Sequence, residues 1–176
     1  MRRSGRMAVA ALALVAAAVI AAGCATTGAR DYRATATLEA TKGNETAGAV
    51  TFLQRADKVF VYADVRGLKP NQEHGFHVHE KGDCSSGDGM SAGGHFNPDA
   101  VAHGNAAGHA GDMPNLKADA NGMAHATFEM KKMTVAAGTF SIVGKGLIIH
   151  RDPDDYKTQP TGNAGARMAC SVIKDA

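Results

Sequence analysis

The chain of 176 residues has no tryptophan and only 5% aromatic residues, a thin ring supply for the core of one domain. No second sizeable domain is expected at this length. It also lacks a surplus of charge of either sign. Lys plus Arg number 19 against 17 Asp plus Glu, and setting aside Arg2, Arg3 and Arg6 of an acid-free leader leaves sixteen against seventeen, a net of −1. That balance excludes a global field for nucleic acid or an anionic membrane, so any attraction for anions must be local. No apolar run reaches the roughly twenty residues of a membrane span, and the longest, residues 7–22, is followed by no stop-transfer pattern. Helical stripes, internal repeats and low-complexity tracts beyond the leader are missing. Cysteine is scarce, with three in all.

What is present begins with the leader. Residues 1–6 are basic, residues 7–22 are rich in Ala, Val and Leu, and Gly23-Cys24 follows small residues, which is the pattern of a bacterial secretory signal peptide over residues 1–23. Ala21-Ala22-Gly23-Cys24 reads as a lipoprotein processing site, where the Cys24 thiol is acylated and becomes the new N-terminus. Residues 24–31, small and polar, then form a tether from the lipid to a domain of residues 32–176. This predicts an exported protein, held in the periplasm by a lipid on an envelope membrane. Export leaves Cys84 and Cys170 as an even pair, and one disulfide is expected between them.

The domain reads at period two. Strands are predicted over residues 34–42, 48–53, 58–65, 73–80, 123–130, 140–143, 147–150 and 167–173. Val59, Val61, Ala63 and Val65 share one face, as do Ala124, Ala126, Phe128 and Met130, with His125, Thr127 and Glu129 on the other. Gly43-Asn44, Ala56-Asp57 and Asn121-Gly122 supply turns. The fold class is all-β, an eight-stranded antiparallel sandwich or flattened barrel. Residues 81–116 and 151–166 break the pattern as long loops rich in Gly, Asp and Pro, the places where function is expected.

Six of eight histidines fall in these loops and at strand ends, in series with Asp112. His77-Val78-His79 puts two imidazoles on one face of a strand, within reach of one ion. His95, His103, His109 and Asp112 come from the first loop, and His150 closes a strand before the second. Seven candidates exceed the needs of one tetrahedral ion, so two ions sharing an imidazole is the economical count. An all-histidine set suits Cu(II), and three histidines with one carboxylate suit structural zinc. His125 is expected to be solvated and His74 to pack in the structure. Most methionines read as core filler.

The runs Gly75-Phe76-His77-Val78-His79-Glu80, Ser91-Ala92-Gly93-Gly94-His95-Phe96-Asn97-Pro98, His109-Ala110-Gly111-Asp112 and Gly162-Asn163-Ala164-Gly165-Ala166-Arg167-Met168-Ala169-Cys170 closely resemble the bacterial copper,zinc superoxide dismutases. The likeness covers about residues 32–173. It implies a Greek-key barrel, immunoglobulin-like in architecture, and a copper site of His77, His79, His95 and His150. It implies a zinc site of His95, His103, His109 and Asp112, with His95 as the bridge. It further implies a Cys84–Cys170 disulfide, Arg167 as the active-site arginine, and Asp154 as a carboxylate joining His77 to His103. The implied reaction is conversion of superoxide to dioxygen and hydrogen peroxide, with His95 passing a proton and Arg167 drawing in the anion. Relatives occur as monomers and homodimers, and the sequence leaves both open. A copper and zinc carrier with the same ligands is one rival reading, for which Arg167 would be dispensable. A zinc hydrolase with an HxH motif is another, but it would place Asp where Lys81 stands.

Overall fold

The computed structural model describes residues 31–105 and 108–176. The expected leader, the expected lipidation at Cys24 and the expected tether up to residue 30 lie outside the described residues. Ten strands follow in order: β1 (Tyr32–Ala40), β2 (Ala47–Arg55), β3 (Lys58–Arg66), β4 (Glu73–His74), β5 (Phe76–His79), β6 (Leu116–Lys117), β7 (Ala124–Met130), β8 (Gly146–His150), β9 (Arg167–Val172) and β10 (Lys174–Asp175). The only helical element among the described residues is a 3-10 turn at Met90–Ala92.

The alternation read from the sequence is what builds the sheet. Val59, Val61 and Val65 are fully buried and Ala63 nearly so, while Tyr62 and Asp64 between them face outward. β1 does the same with Ala34, Ala36 and Leu38. One antiparallel sheet results, in the order β5-β8-β9-β1-β2-β3-β7, with β10 also paired to β1. β1, β2 and β3 form a meander. The chain then crosses to β5 at the far edge, returns to β7 beside β3, and crosses back to β8, which is Greek-key connectivity. The edge strands β5 and β7 share no ladder, but the sheet curls until Phe76 and Phe128 meet edge to face at 6.4 Å, closing the core with side chains.

Three expectations are corrected. The strand predicted over residues 73–80 is broken at Gly75. Its N–H bonds to Asp152 O and its carbonyl accepts from His150 N, so its backbone faces the second long loop while β4 pairs with β6. A side chain at Gly75 would lie 2.9 Å from the Ala164 methyl, so close loop packing requires glycine here. Residues 140–143 form no strand. They are bounded by Gly138 and Gly144, both at positive φ, and hold Ile142 as a buried plug through its N–H to Thr134 O. The last run ends at Val172, because Ile173 N turns to Lys145 O before β10 resumes on β1.

Two features place the site. On β5, Phe76 and Val78 enter the core, so His77 and His79 project from the outer face. A bulge between β8 and β9 skips Met168: Ile149 pairs with Ala169 but His150 pairs with Arg167. Both Met168 and Ala169 are therefore in the core, and Arg167 is delivered beside His150.

On the same outer face Ala92, Ile148 and Cys170 cluster with Cys84, and Cys84 and Cys170 form the expected disulfide across 86 residues. It pins the first long loop to β9, three residues from Arg167. Closing a loop of that size is worth about 4.5 kcal/mol on chain-entropy grounds. The double substitution Cys84→Ser, Cys170→Ser is expected to lower unfolding stability by about 3–4 kcal/mol, read as a lower urea midpoint with an intact barrel spectrum.

Candidate metal centre

Five stretches of chain meet on the outer face of β5 and β8. His77, His79, His95 and His150 form one buried group, and His95, His103, His109 and Asp112 a second, with His95 in both. Within each group one ligating atom per residue lies within 4.8 Å of the others. Every residue singled out in the sequence for these roles is brought to this place.

The rings are aimed by their far nitrogens. His79 Nδ1 lies 2.9 Å from Gly93 O and His150 Nδ1 lies 3.2 Å from Gly165 O. A carbonyl only accepts, so both Nδ1 atoms carry the proton and both Nε2 atoms present lone pairs. Those two Nε2 atoms face each other at 3.3 Å. Two lone pairs at that distance repel, and a shared cation removes the repulsion.

His77 Nε2 and His103 Nε2 donate to the two oxygens of Asp154, at 2.8 and 2.9 Å, so one buried carboxylate orients a ring of each group. Their Nδ1 atoms are then the free lone pairs, and both are buried without a hydrogen bond. His103 Nδ1 stands 2.8 Å from Asp112 Oδ2 and His109 Nδ1 stands 3.2 Å from Asp112 Oδ1. Neither contact has hydrogen-bond geometry, since both nitrogens remain unpartnered. They are close approaches of donor atoms, as around an ion. His95 points Nδ1 at Asp112 Oδ1, 2.8 Å away, and leaves Nε2 buried and unpartnered on the side of the other group. Its ring centroid is 4.0 Å from that of His77 and 5.6 Å from that of His109.

Asp112 is itself braced by His109 N–H at 2.8 Å and Gly104 N–H at 3.3 Å on Oδ2. Burial alone would raise its carboxyl, but the combined pull of His95, His103 and His109 outweighs that and holds it below the usual range. The imidazoles respond in the opposite sense. Burial, then neighbouring rings, push His77 and His79 well below the ordinary histidine value, and burial brings His150 to about 4. His77, His79 and His150 thus offer neutral nitrogens and Asp112 an ionised carboxylate at neutral pH, the donor forms that metals need. Four imidazole nitrogens suit copper. Three with a carboxylate suit zinc. The residues fit both groups.

Arg167 is fixed at the edge of the first group. Its Nη1 donates to Gly89 O and its Nη2 to Gly93 O, both at 2.6 Å. Gly89 and Gly93 flank the 3-10 turn at Met90–Ala92, so one short turn carries both acceptors. Gly93 O also serves His79, which ties the guanidinium to a ring of the first group through one carbonyl. Burial lowers Arg167, and Asp88 on the same turn opposes that. Sequence reasoning found Arg167 but not its Gly89 and Gly93 acceptors, because a backbone carbonyl has no side-chain signature.

The second loop is held from the first by side-chain amides that the sequence did not single out. Asn115 Oδ1 accepts from Asp154 N at 2.9 Å while its Nδ2 donates to Asp154 O at 3.0 Å. Of the remaining histidines, His125 is exposed beside Asp64, and His74 is fully buried with Nδ1 3.0 Å from His150 O. Both agree with expectation.

A curled Greek-key sheet carrying two buried groups that share one imidazole defines a class, the binuclear metal proteins bridged through histidine. The comparisons make it specific. Residues 46–173 match the family described as copper/zinc superoxide dismutase (SODC). The copper-zinc superoxide dismutase 2 of Aquifex aeolicus (strain VF5) is 41% identical over 152 residues, covering 82% of this chain and 88% of that protein. The Caulobacter vibrioides copper-zinc superoxide dismutase is 41% identical over 150 residues, covering 80% and 85%. A solved structure described as the clock protein EA4 superposes with a TM-score of 0.74 at 38% identity, covering 82% of this chain and 94% of that one. The chain belongs to the copper/zinc superoxide dismutase family; superoxide dismutation is its activity, and copper and zinc are its cofactors.

The lowered histidines set an acid limit on the metal-free protein. A group whose folded value lies below its unfolded one favours folding above the unfolded value, and that contribution is lost as pH falls toward the folded value. For His150 the window runs from about 6.5 down to about 4. Metal-free protein is expected to lose stability steadily between those pH values, read as a falling urea midpoint, with little change from pH 7 to 8.

Proposed function

We propose that His77, His79, His95 and His150 hold the copper and that His95, His103, His109 and Asp112 hold the zinc, in an enzyme that protects the cell envelope from superoxide. The observation that carries the assignment is His95, whose two nitrogens point into different groups, one toward Asp112 and one toward the three other histidines. Copper supplies a one-electron couple by which one superoxide is oxidised to dioxygen and a second is reduced toward hydrogen peroxide.

The chain's residues bind, orient and protonate. Arg167 offers a fixed positive charge at the mouth; the two carbonyls that hold it leave further N–H donors for a small anion. Loss of that charge removes attraction without touching a ligand. His95 Nε2 is the atom able to hold a proton on the substrate side, while Nδ1 stays directed at the zinc group, so the ring keeps its place as the proton moves on to peroxide. Asp154 keeps His77 and His103 in the tautomer that presents Nδ1.

Arg167→Gln is expected to lower kcat/KM for superoxide by at least tenfold and to flatten its dependence on ionic strength, with copper and zinc each near one per chain by elemental analysis. Unchanged activity would refute the role given to Arg167. One metal per chain in the unaltered protein would refute the bridged assignment.

The envelope setting rests on the basic and apolar leader, on Cys24, and on the disulfide, which suits an oxidising compartment. In this reading residues 1–23 are removed, Cys24 carries lipid, residues 24–31 form the tether and residues 32–176 form the catalytic domain. Mass spectrometry of protein from the envelope fraction is expected to find a diacylglyceryl-modified Cys24 at the N-terminus. An unmodified N-terminus beyond Cys24 would replace the anchored form with a free periplasmic one.

A further inference from the structure

Asp154 links the two groups through side chains, but the backbones at both ends of that link are gripped as well. At one end the amide of Asn115, from the first long loop, holds the N–H and the carbonyl of Asp154 in the second. At the other end the relation is reversed. Gln159, from the second loop, accepts from His103 N–H at 2.8 Å and donates to His103 O at 3.0 Å, reaching across 56 residues of sequence. The same Nε2 also lies 3.2 Å from Lys157 O. Each loop thus grips the backbone of the residue that the other contributes.

Gln159 is presented by a turn with its own organisation. Asp155 Oδ1 accepts from Lys157 N and Thr158 N, Thr158 Oγ1 donates to Asp155 Oδ2 at 2.6 Å, and Gly162 N returns to Thr158 O at 2.7 Å. The amide is therefore held out from a braced support. His103 sits in an otherwise irregular stretch, between β5 and β6, with no strand to fix its backbone. Its ring is aimed by Asp154, but a ring aimed by one hydrogen bond still swings if its Cα is free.

We propose that Gln159 is a positioning residue for zinc: its amide clamps the backbone of His103 so that Nδ1 stays directed at Asp112 and the zinc. This rests on the reading of His103 as a zinc ligand. Groups that orient a metal ligand typically affect metal affinity by 10–100-fold, and a clamp acting through the backbone belongs at the low end of that range.

The test uses the copper- and zinc-loaded enzyme. Zinc release into a chromophoric chelator at neutral pH is compared for the unaltered protein, Gln159→Met, which keeps length without hydrogen bonds, and Gln159→Glu, which keeps the acceptor and loses the donor. Gln159→Met is expected to release zinc about tenfold faster, with Gln159→Glu between it and the unaltered protein. Copper absorption and the urea midpoint of the metal-free protein are expected to stay the same. A Gln159→Met rate equal to the unaltered one overturns the inference, as does a lowered metal-free midpoint with both metals released faster, which marks a general loss of structure. Unaltered protein that holds no zinc overturns the ligand assignment beneath it, a failure visible before any variant is made.

Discussion

The centre depends on lone pairs forced to converge. His79 and His150 each lose one nitrogen to a backbone carbonyl and His77 and His103 each lose one to Asp154, so the remaining nitrogens have no choice of direction. Those of His77 and His103 are buried and unpartnered, those of His79 and His150 face each other at 3.3 Å, and the Asp112 carboxylate sits beside His103. A neutral protein interior offers no reason to collect so many acceptors. Cations supply one, and His95 is common to both groups.

The sheet carries this arrangement because it is complete on its inner side. Phe76 and Val78 fasten β5 to the core while the residues alternating with them are released to the outer face. Loop residues then add the other ligands, and the disulfide and the Arg167 turn fasten the first loop to β9. Geometry therefore passes from a packed sheet to irregular chain through a few defined attachments. It does not come from regular structure in the loops themselves.

Much of this was legible in the sequence. Period-two alternation gave the inward faces of β3 and β7 correctly, and the histidine series located every member of both groups. The strand through Gly75 was misread because periodicity continues across it while the backbone turns to the second loop. Residues 140–143 were misread because a short apolar run fits a buried plug as well as a strand. The acceptors of Arg167 and the amides of Asn115 and Gln159 were not legible. A carbonyl belongs to every residue, and a loop amide gains meaning only from what lies beside it.

The outer position of the centre bears on the order of assembly. Its ligands interrupt none of the apolar packing, and the Phe76–Phe128 contact that closes the interior involves neither group. The polypeptide can therefore finish folding as a metal-free receptacle and be charged afterwards, unlike small domains whose interior is the metal itself. Chain synthesis and metal supply are in this way decoupled in time, so the protein can wait, folded, for its cofactors.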